Sequence, residues 1–281
     1  MKNLSIIVVL TILVLQFGCD VVEPPYTKTG TIDTNITKVK RKVLIEEFTG
    51  VRCQNCPKGH AEIIKLKSIY GERLIPISIH ANSVFAAPLL PDYPDDFRTP
   101  AGDQLYIDFQ NPPQPGAVIN RTMFDGSISS GRSGWAGYIA NQDSTEAMVT
   151  ITPTSTYNAS SKTTEITVNV KFIKDVNEKT NLVMYVLEDS VVSPQLDGSK
   201  RLPDYVHRDM LRDMPYSPYG QALTTTATKA NTSLTKNYTY AFTGAKSSTW
   251  NIKHCLLVFA VVVNNGSEKT VLQAEEIHVT K

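Results

Sequence analysis

Neither sign of charge dominates this 281-residue chain: 28 basic and 27 acidic side chains leave a formal net charge of +1. No long-range field therefore gathers phosphate backbones or anionic lipid, and nucleic acid is not expected as a partner. A Gly-rich phosphate loop, a G-x-S-x-G elbow and an H-E-x-x-H pair are all missing, which removes the usual support for nucleotide-binding and hydrolytic readings. No cofactor is expected. Beyond the N-terminus no apolar run approaches the roughly 20 residues that cross a bilayer. Cysteine is scarce as well, at four residues, so each one can be asked what it does.

Cys19 closes the only segment built for export. Lys2 precedes an apolar stretch from Leu4 to Leu15, followed by Gln16-Phe17-Gly18-Cys19 and then polar chain. That order reads as a signal peptide over residues 1–18, too short for a comfortable membrane span. A small residue directly before a cysteine is what a lipoprotein signal peptidase requires, although Gln16 stands where an aliphatic residue is usual. The expectation is lipidation of Cys19, an anchor of acyl chains. The alternative is an ordinary signal peptide in which Cys19 has no role. Residues 19–40, rich in Pro, Thr, Asp and Asn without apolar periodicity, read as a tether.

From Lys42 the pattern tightens. Val43, Leu44, Ile45 and Phe48 predict a strand, Thr49-Gly50 breaks it, and His60–Tyr70 has the spacing of an amphipathic helix closed by Gly71. LIPISIH (74–80) predicts a second buried strand, and strand–helix–strand in that order implies a parallel pair. Residues 81–112 read as an insertion with one short helix near Ala101–Phe109. GAVINR then predicts another strand, a turn falls at Asp125-Gly126, and Ser133 is placed to cap a helix through WAGYIANQ. From about Thr145 the period becomes two, in AMVTITPTS, TEITVNVKFI, NLVMYVLED, NYTYAF, WNIKHCLLVFAVVV and TVLQAEEIHVT. Such strands predict an antiparallel β-sandwich, immunoglobulin- or fibronectin-like. DYVHRDMLRDM, with Val206, Met210 and Leu211 at helical spacing, predicts a short helix beside it. The expected organisation is thus an α/β domain at 41–143 and an all-β sandwich at 144–281.

Cys53-Gln54-Asn55-Cys56 falls at the junction of the first strand and its helix. In an exported protein two thiols held two residues apart readily form and exchange a disulfide. A cysteine at a helix start has its thiolate favoured by unpaired N–H groups and the helix dipole, which makes Cys53 the attacking sulfur and Cys56 the more buried, resolving one. Pro57 is tolerated in the first turn, and it excludes a c-type haem site, which needs histidine there. An inert structural disulfide and a metal half-site remain open, the latter because His60 shares a helix face with Cys56. His60 itself reads more simply as a surface or partly packed histidine, and His80, at a strand end, as structural. Cys255, inside CLLVFAVVV, reads as a small buried hydrophobe. Asp204, His207 and Asp209 read as a solvated helix face.

With this context the first half resembles thioredoxin-like proteins. The resemblance implies that Glu47, six positions before Cys53, is the buried acid that assists proton transfer from the second cysteine, and that Pro115 is the cis-proline that packs against the dithiol and holds substrate backbone. Arg52 replaces the usual aromatic residue and Gln54-Asn55 replaces Gly-Pro. More closely, VLIEEFTGVRCQNCPKGHAEI, VHRDMLRD and the terminal VLQAEEIHV resemble the outer membrane protein 28 family of bacterial lipoproteins. That family implies an outer-membrane lipoprotein with a thioredoxin-like domain followed by a β-rich domain.

Two functions compete on these grounds. One is thiol–disulfide exchange on exported proteins, with the membrane reached through the lipid on Cys19 and client thiols or disulfides as partners. The other is a surface-exposed binding or adhesion lipoprotein in which the cysteines form a stable bridge.

Overall fold

The computed structural model describes residues 39–244, 247–266 and 269–280. The signal segment 1–18, Cys19 and the tether as far as residue 38 lie outside the described residues.

The first half runs β1 (Val43–Thr49), α1 (Cys56–Tyr70), β2 (Leu74–His80), α2 (Pro100–Asp108), β3 (Gly116–Ile119), β4 (Ser130–Gly131) and α3 (Arg132–Asp143). Every residue of β1 and β2 is buried, and the two pair in parallel from Val43↔Leu74 to Thr49↔His80. Near-continuous apolar runs of this kind belong to strands covered on both faces. On one face Val43, Ile45 and Leu74 meet Ile63 and Leu66 of α1 and Trp135 and Ile139 of α3. On the other, Leu44, Phe48, Ile75, Ile77 and Ile79 meet Leu105 of α2 and Phe109 just after it. β3 adds antiparallel to β1, with Glu47↔Ala117 in register, and β4 adds to β3. α2 starts where its sequence asks: Thr99 Oγ1 accepts from Gly102 N at 2.9 Å ahead of Pro100. α3 does not start as expected, because Gly131 occupies its cap position without a side-chain bond and Ser133 lies inside the first turn.

The second half contributes β5 (Val149–Asn158), β6 (Thr163–Phe172), β7 (Thr180–Glu188), β8 (Val191–Asp197), β9 (Lys200–His207), β10 (Met210–Asp213), β11 (Gln221–Thr224), β12 (Ser233–Ala241), β13 (Cys255–Val263) and β14 (Val271–His278). Here the boundary expected at 143/144 needs correction. β10 pairs in parallel with β2 at Met210↔Ser78, and β7, β13 and β14 follow it, so one sheet of order β14–β13–β7–β10–β2–β1–β3–β4 crosses the boundary, with β11 attached to β7.

Alternation explains why the two halves share strands. Val183, Tyr185, Leu187, Val258 and Ala260 face the core of the first half. Leu182, Met184, Val186, Leu257 and Phe259, on the opposite side of the same strands, face an antiparallel sheet β12–β6–β5 through Ile151, Val168, Val170 and Phe172. Sheet packs on sheet as the period of two predicts, but one layer of that packing belongs to the mixed sheet. The described residues are therefore β-rich, with one mixed sheet, a three-stranded antiparallel sheet, the two-stranded β8–β9 hairpin and few helices.

The segment DYVHRDMLRDM is strand, turn and strand, not helix: β9 ends at His207, Asp209 turns with φ +49°, and β10 begins at Met210. Pairing decides it. β9 forms a hairpin with β8, while Met210 and Leu211 are fully buried between β2 and β7.

Candidate functional site

The β1–α1 turn brings Cys53 and Cys56 together as a disulfide. Gly50 makes the turn possible, since a Cβ there would lie 2.5 Å from the carbonyl of Phe85. α1 begins at Cys56, with Asn55 as its cap residue and Pro57 in its first turn. Cys53 thus stands ahead of the helix and not, as expected, at its start. Arg52 Nη2 donates to the carbonyl of Ser83 at 2.8 Å.

Both cysteines are buried, Cys53 at 2% exposure and Cys56 at none. The cover is the β8–β9 hairpin. Leu196 N donates to Val51 O at 2.8 Å and Gly198 N to Gln54 O at 2.9 Å, so the hairpin is pinned to the dithiol turn by its backbone. Gln195 Nε2 adds bonds to the carbonyls of Cys53 at 3.1 Å and Gly50 at 3.3 Å. Beneath it Val51 packs with Tyr93, Phe97 and Met210.

Glu47 lies on β1 under the same turn, with no exposure. Ser78 Oγ donates to its Oε2 at 3.3 Å, while its Oε1 is buried without a hydrogen-bond partner. Burial pushes this carboxyl well above the usual range, and the charge of Asp209 adds to the shift. The Gln114–Pro115 peptide is cis. A Cβ at Gly59 would fall 2.8 Å from both Glu47 Oε1 and Pro115 Cβ, so the acid and the proline converge on α1 one turn beyond Cys56.

Of the two expectations for His60, surface or partly packed, the structure favours packing. His60 is buried beside Glu47, its Nε2 3.5 Å from Glu47 Oε2 and 3.0 Å from Thr49 Oγ1, its Nδ1 2.6 Å from the hydroxyl of Tyr205 on β9. His207 and His80 continue the cluster, with ring centroids 6.5 Å from His60 to His207 and 5.4 Å from His207 to His80, and Phe97 closes it 5.3 Å from His80. Burial holds His60 down to about 3 and His207 down to about 4, and pushes His80 well below its ordinary value, so all three rings are neutral at pH 7. Among the described residues no three His, Cys, Asp or Glu side chains are arranged to hold a metal ion.

Tyr205, His207 and Gln195 were missed in the sequence, because the segment carrying the first two reads as a helix and nothing local ties it to the dithiol. His207 and Asp209, read there as a solvated face, lie respectively in the histidine cluster and in a cleft of about 670 Å³ beside α1. That cleft is lined by His60, Ile63, Lys67, Ser78, Tyr205 and Asp209, among others. Burial, with Asp189 next, pushes Asp209 up to about 7. Cys255 is buried and free, its thiol pushed up to about 12 mainly by burial. A second buried polar group lies apart from the dithiol: Arg121 Nη2 donates to Glu46 Oε1 at 2.7 Å and to Tyr185 Oη at 2.8 Å.

A family model described as outer membrane protein Omp28 matches residues 102–281, a stretch that begins after the dithiol. No curated protein matches the chain. Among solved structures, HBP35 of Porphyromonas gingivalis superposes with a TM-score of 0.65 at 18% identity, over 86% of this chain and 76% of that one. The crystal structure of AGR_C_4864 from Agrobacterium tumefaciens gives a TM-score of 0.54 at 13% identity, over 86% of this chain and 96% of that one. At these identities the likeness is one of fold.

Proposed function

Because the chain belongs to the Omp28 family of outer membrane proteins, we propose that it is an outer-membrane lipoprotein, anchored through Cys19, whose first half is a thioredoxin-like domain that exchanges disulfides with exported proteins. The observation that carries the reading is the convergence on the head of α1 of the Cys53–Cys56 disulfide, the buried Glu47 and the cis Pro115. The strand order β4–β3–β1–β2, with β1 and β2 parallel and β3 antiparallel, supports the thioredoxin-like assignment. In this role Cys53 attacks the client disulfide, Cys56 resolves the mixed disulfide, Glu47 takes its proton and Pro115 positions client backbone. The β8–β9 hairpin has to lift before a client reaches Cys53.

Burial of both sulfurs beneath that hairpin favours a second reading, a binding lipoprotein in which the bridge is structural. The reduction potential separates the two. Equilibration in glutathione buffers, with Cys53→Ser and Cys56→Ser as controls, is expected to give a value within roughly −270 to −120 mV, the range of exchange proteins. A value below about −300 mV would identify a structural disulfide and redirect the search to what the β-sheets bind.

A further inference from the structure

Glu47 is sealed from solvent, and a carboxyl that takes a proton in each turnover needs a route by which to lose it. We infer that His60 and Tyr205 form a proton relay joining Glu47 to the cleft beside α1, an inference that rests on the exchange reading above. The contacts form one line: Glu47 Oε2 to His60 Nε2 at 3.5 Å, then His60 Nδ1 to the Tyr205 hydroxyl at 2.6 Å. Tyr205 is half-buried and lines the cleft together with His60. Closing the first contact to hydrogen-bonding distance takes a shift of about half an ångström. Thr49 Oγ1, 3.0 Å from Nε2, both donates and accepts, so it satisfies either imidazole tautomer.

The chemistry balances in the direction of client reduction. The Cys53 thiolate attacks one sulfur of a client disulfide; the client S–S bond breaks, a Cys53–client bond forms and the first client thiolate leaves. The Cys56 thiol passes its proton to the Glu47 carboxylate, and the Cys56 thiolate attacks Cys53 Sγ, forming the intramolecular disulfide and releasing the second client thiolate. Two electrons have moved from the dithiol to the client. Glu47 then gives its proton to His60 Nε2 as the Nδ1 proton passes to the Tyr205 oxygen and the Tyr205 hydroxyl proton to water in the cleft. Recharging by an external dithiol runs the proton inward and restores the starting tautomer.

A concerted transfer suits this ring, because burial, and His207 after it, disfavour a standing imidazolium. Other titratable groups surround the line without entering it: His80 and His207 beyond His60, Asp209 towards Glu47, Asp197 towards Tyr205, and Arg212 beside His80. Tyr205 belongs to the covering hairpin, so the relay is complete only while the hairpin is closed.

Tyr205→Phe tests it, since it keeps the ring that packs near His207 and removes only the hydroxyl. In the full-length chain in detergent, multiple-turnover reduction of a peptide disulfide with dithiothreitol as the recharging dithiol is followed from pH 6 to 9, with and without added imidazole, because Glu47 has to be discharged between successive resolutions. The expected result is a slowing of about tenfold or more that imidazole relieves, as for loss of a positioned proton carrier. Unchanged rates in Tyr205→Phe beside an active wild type would overturn the relay. Slowing that imidazole does not relieve would assign the hydroxyl a packing role and overturn it too. A wild-type chain without turnover would overturn the exchange reading and the relay together.

Discussion

Gln195 Nε2 donates to the carbonyl oxygen of Cys53 at 3.1 Å across 142 residues of sequence, the side-chain bond by which the hairpin holds the dithiol turn. The same amide nitrogen reaches Gly50 O at 3.3 Å, and the residue is fully buried. Gln195→Ala removes both bonds and leaves two carbonyls under the hairpin with one partner fewer. With about 1 kcal/mol lost per bond, opening becomes easier by a factor of roughly 5 to 30. Reduction of Cys53–Cys56 by dithiothreitol, followed by thiol trapping, is expected to accelerate in that range. Equal rates in variant and wild type would mean that the reductant does not enter by way of the hairpin.

Much of what surrounds this pair was legible beforehand. Apolar runs at 43–48 and 74–80 around an amphipathic helix gave a parallel unit because both strands are covered on both faces, and period-two segments gave most later strands. The hairpin was not legible. In DYVHRDM the residues Val206 and Met210 sit four apart, a spacing that fits a helix, yet they lie in different strands on either side of Asp209 at φ +49°. Only pairing with β8, itself irregular between Ser193 and Gln195, makes β9 a strand. Glu46, Arg121 and Tyr185 were invisible for a similar reason, since they meet across 75 and 139 residues. Glu46 and Tyr185 lie on strands separated in the sheet order by β2 and β10, and no local pattern records such a closure. Glu47 and Pro115 could be placed only by resemblance.

Three buried neutral histidines set the acid side of stability. The unfolded chain takes up protons at its histidines near pH 6.5, whereas the folded chain resists until about 3 at His60 and about 4 at His207, and burial holds His80 well below its ordinary value. Below pH 6.5 the unfolded state therefore binds more protons, and stability falls as pH falls, by up to about 1.4 kcal/mol per unit for each histidine. Burial raises Glu47 and Asp209 in the folded chain, and these two carboxyls oppose the loss over the same window. Urea unfolding at pH 7, 6, 5 and 4.5 is therefore expected to show midpoints that drop below pH 6 less steeply than three histidines alone would give. His207→Asn should flatten the drop. Midpoints independent of pH from 7 to 4.5 would show that the rings protonate without unfolding.

Two glycines on helices give opposite expectations for one substitution. Ala is the better helix former by about 1 kcal/mol, and at Gly137 of α3 an added Cβ meets nothing within 4 Å. Gly137→Ala is therefore expected to raise the unfolding free energy by up to that amount. At Gly59 of α1 the new methyl would lie 2.8 Å from Glu47 Oε1 and 2.8 Å from Pro115 Cβ, distances that real contacts do not show. The helix has to back away from the acid and the proline, at a cost of about 1–3 kcal/mol for overpacking. Gly59→Ala is thus expected to lower the urea midpoint and, in the exchange reading, to slow resolution through Cys56 as Glu47 and Pro115 separate from the helix that carries it. A gain in stability at Gly59 equal to that at Gly137 would mean that α1 does not press on Glu47 and Pro115, and the convergence on which the proposed function rests would be lost.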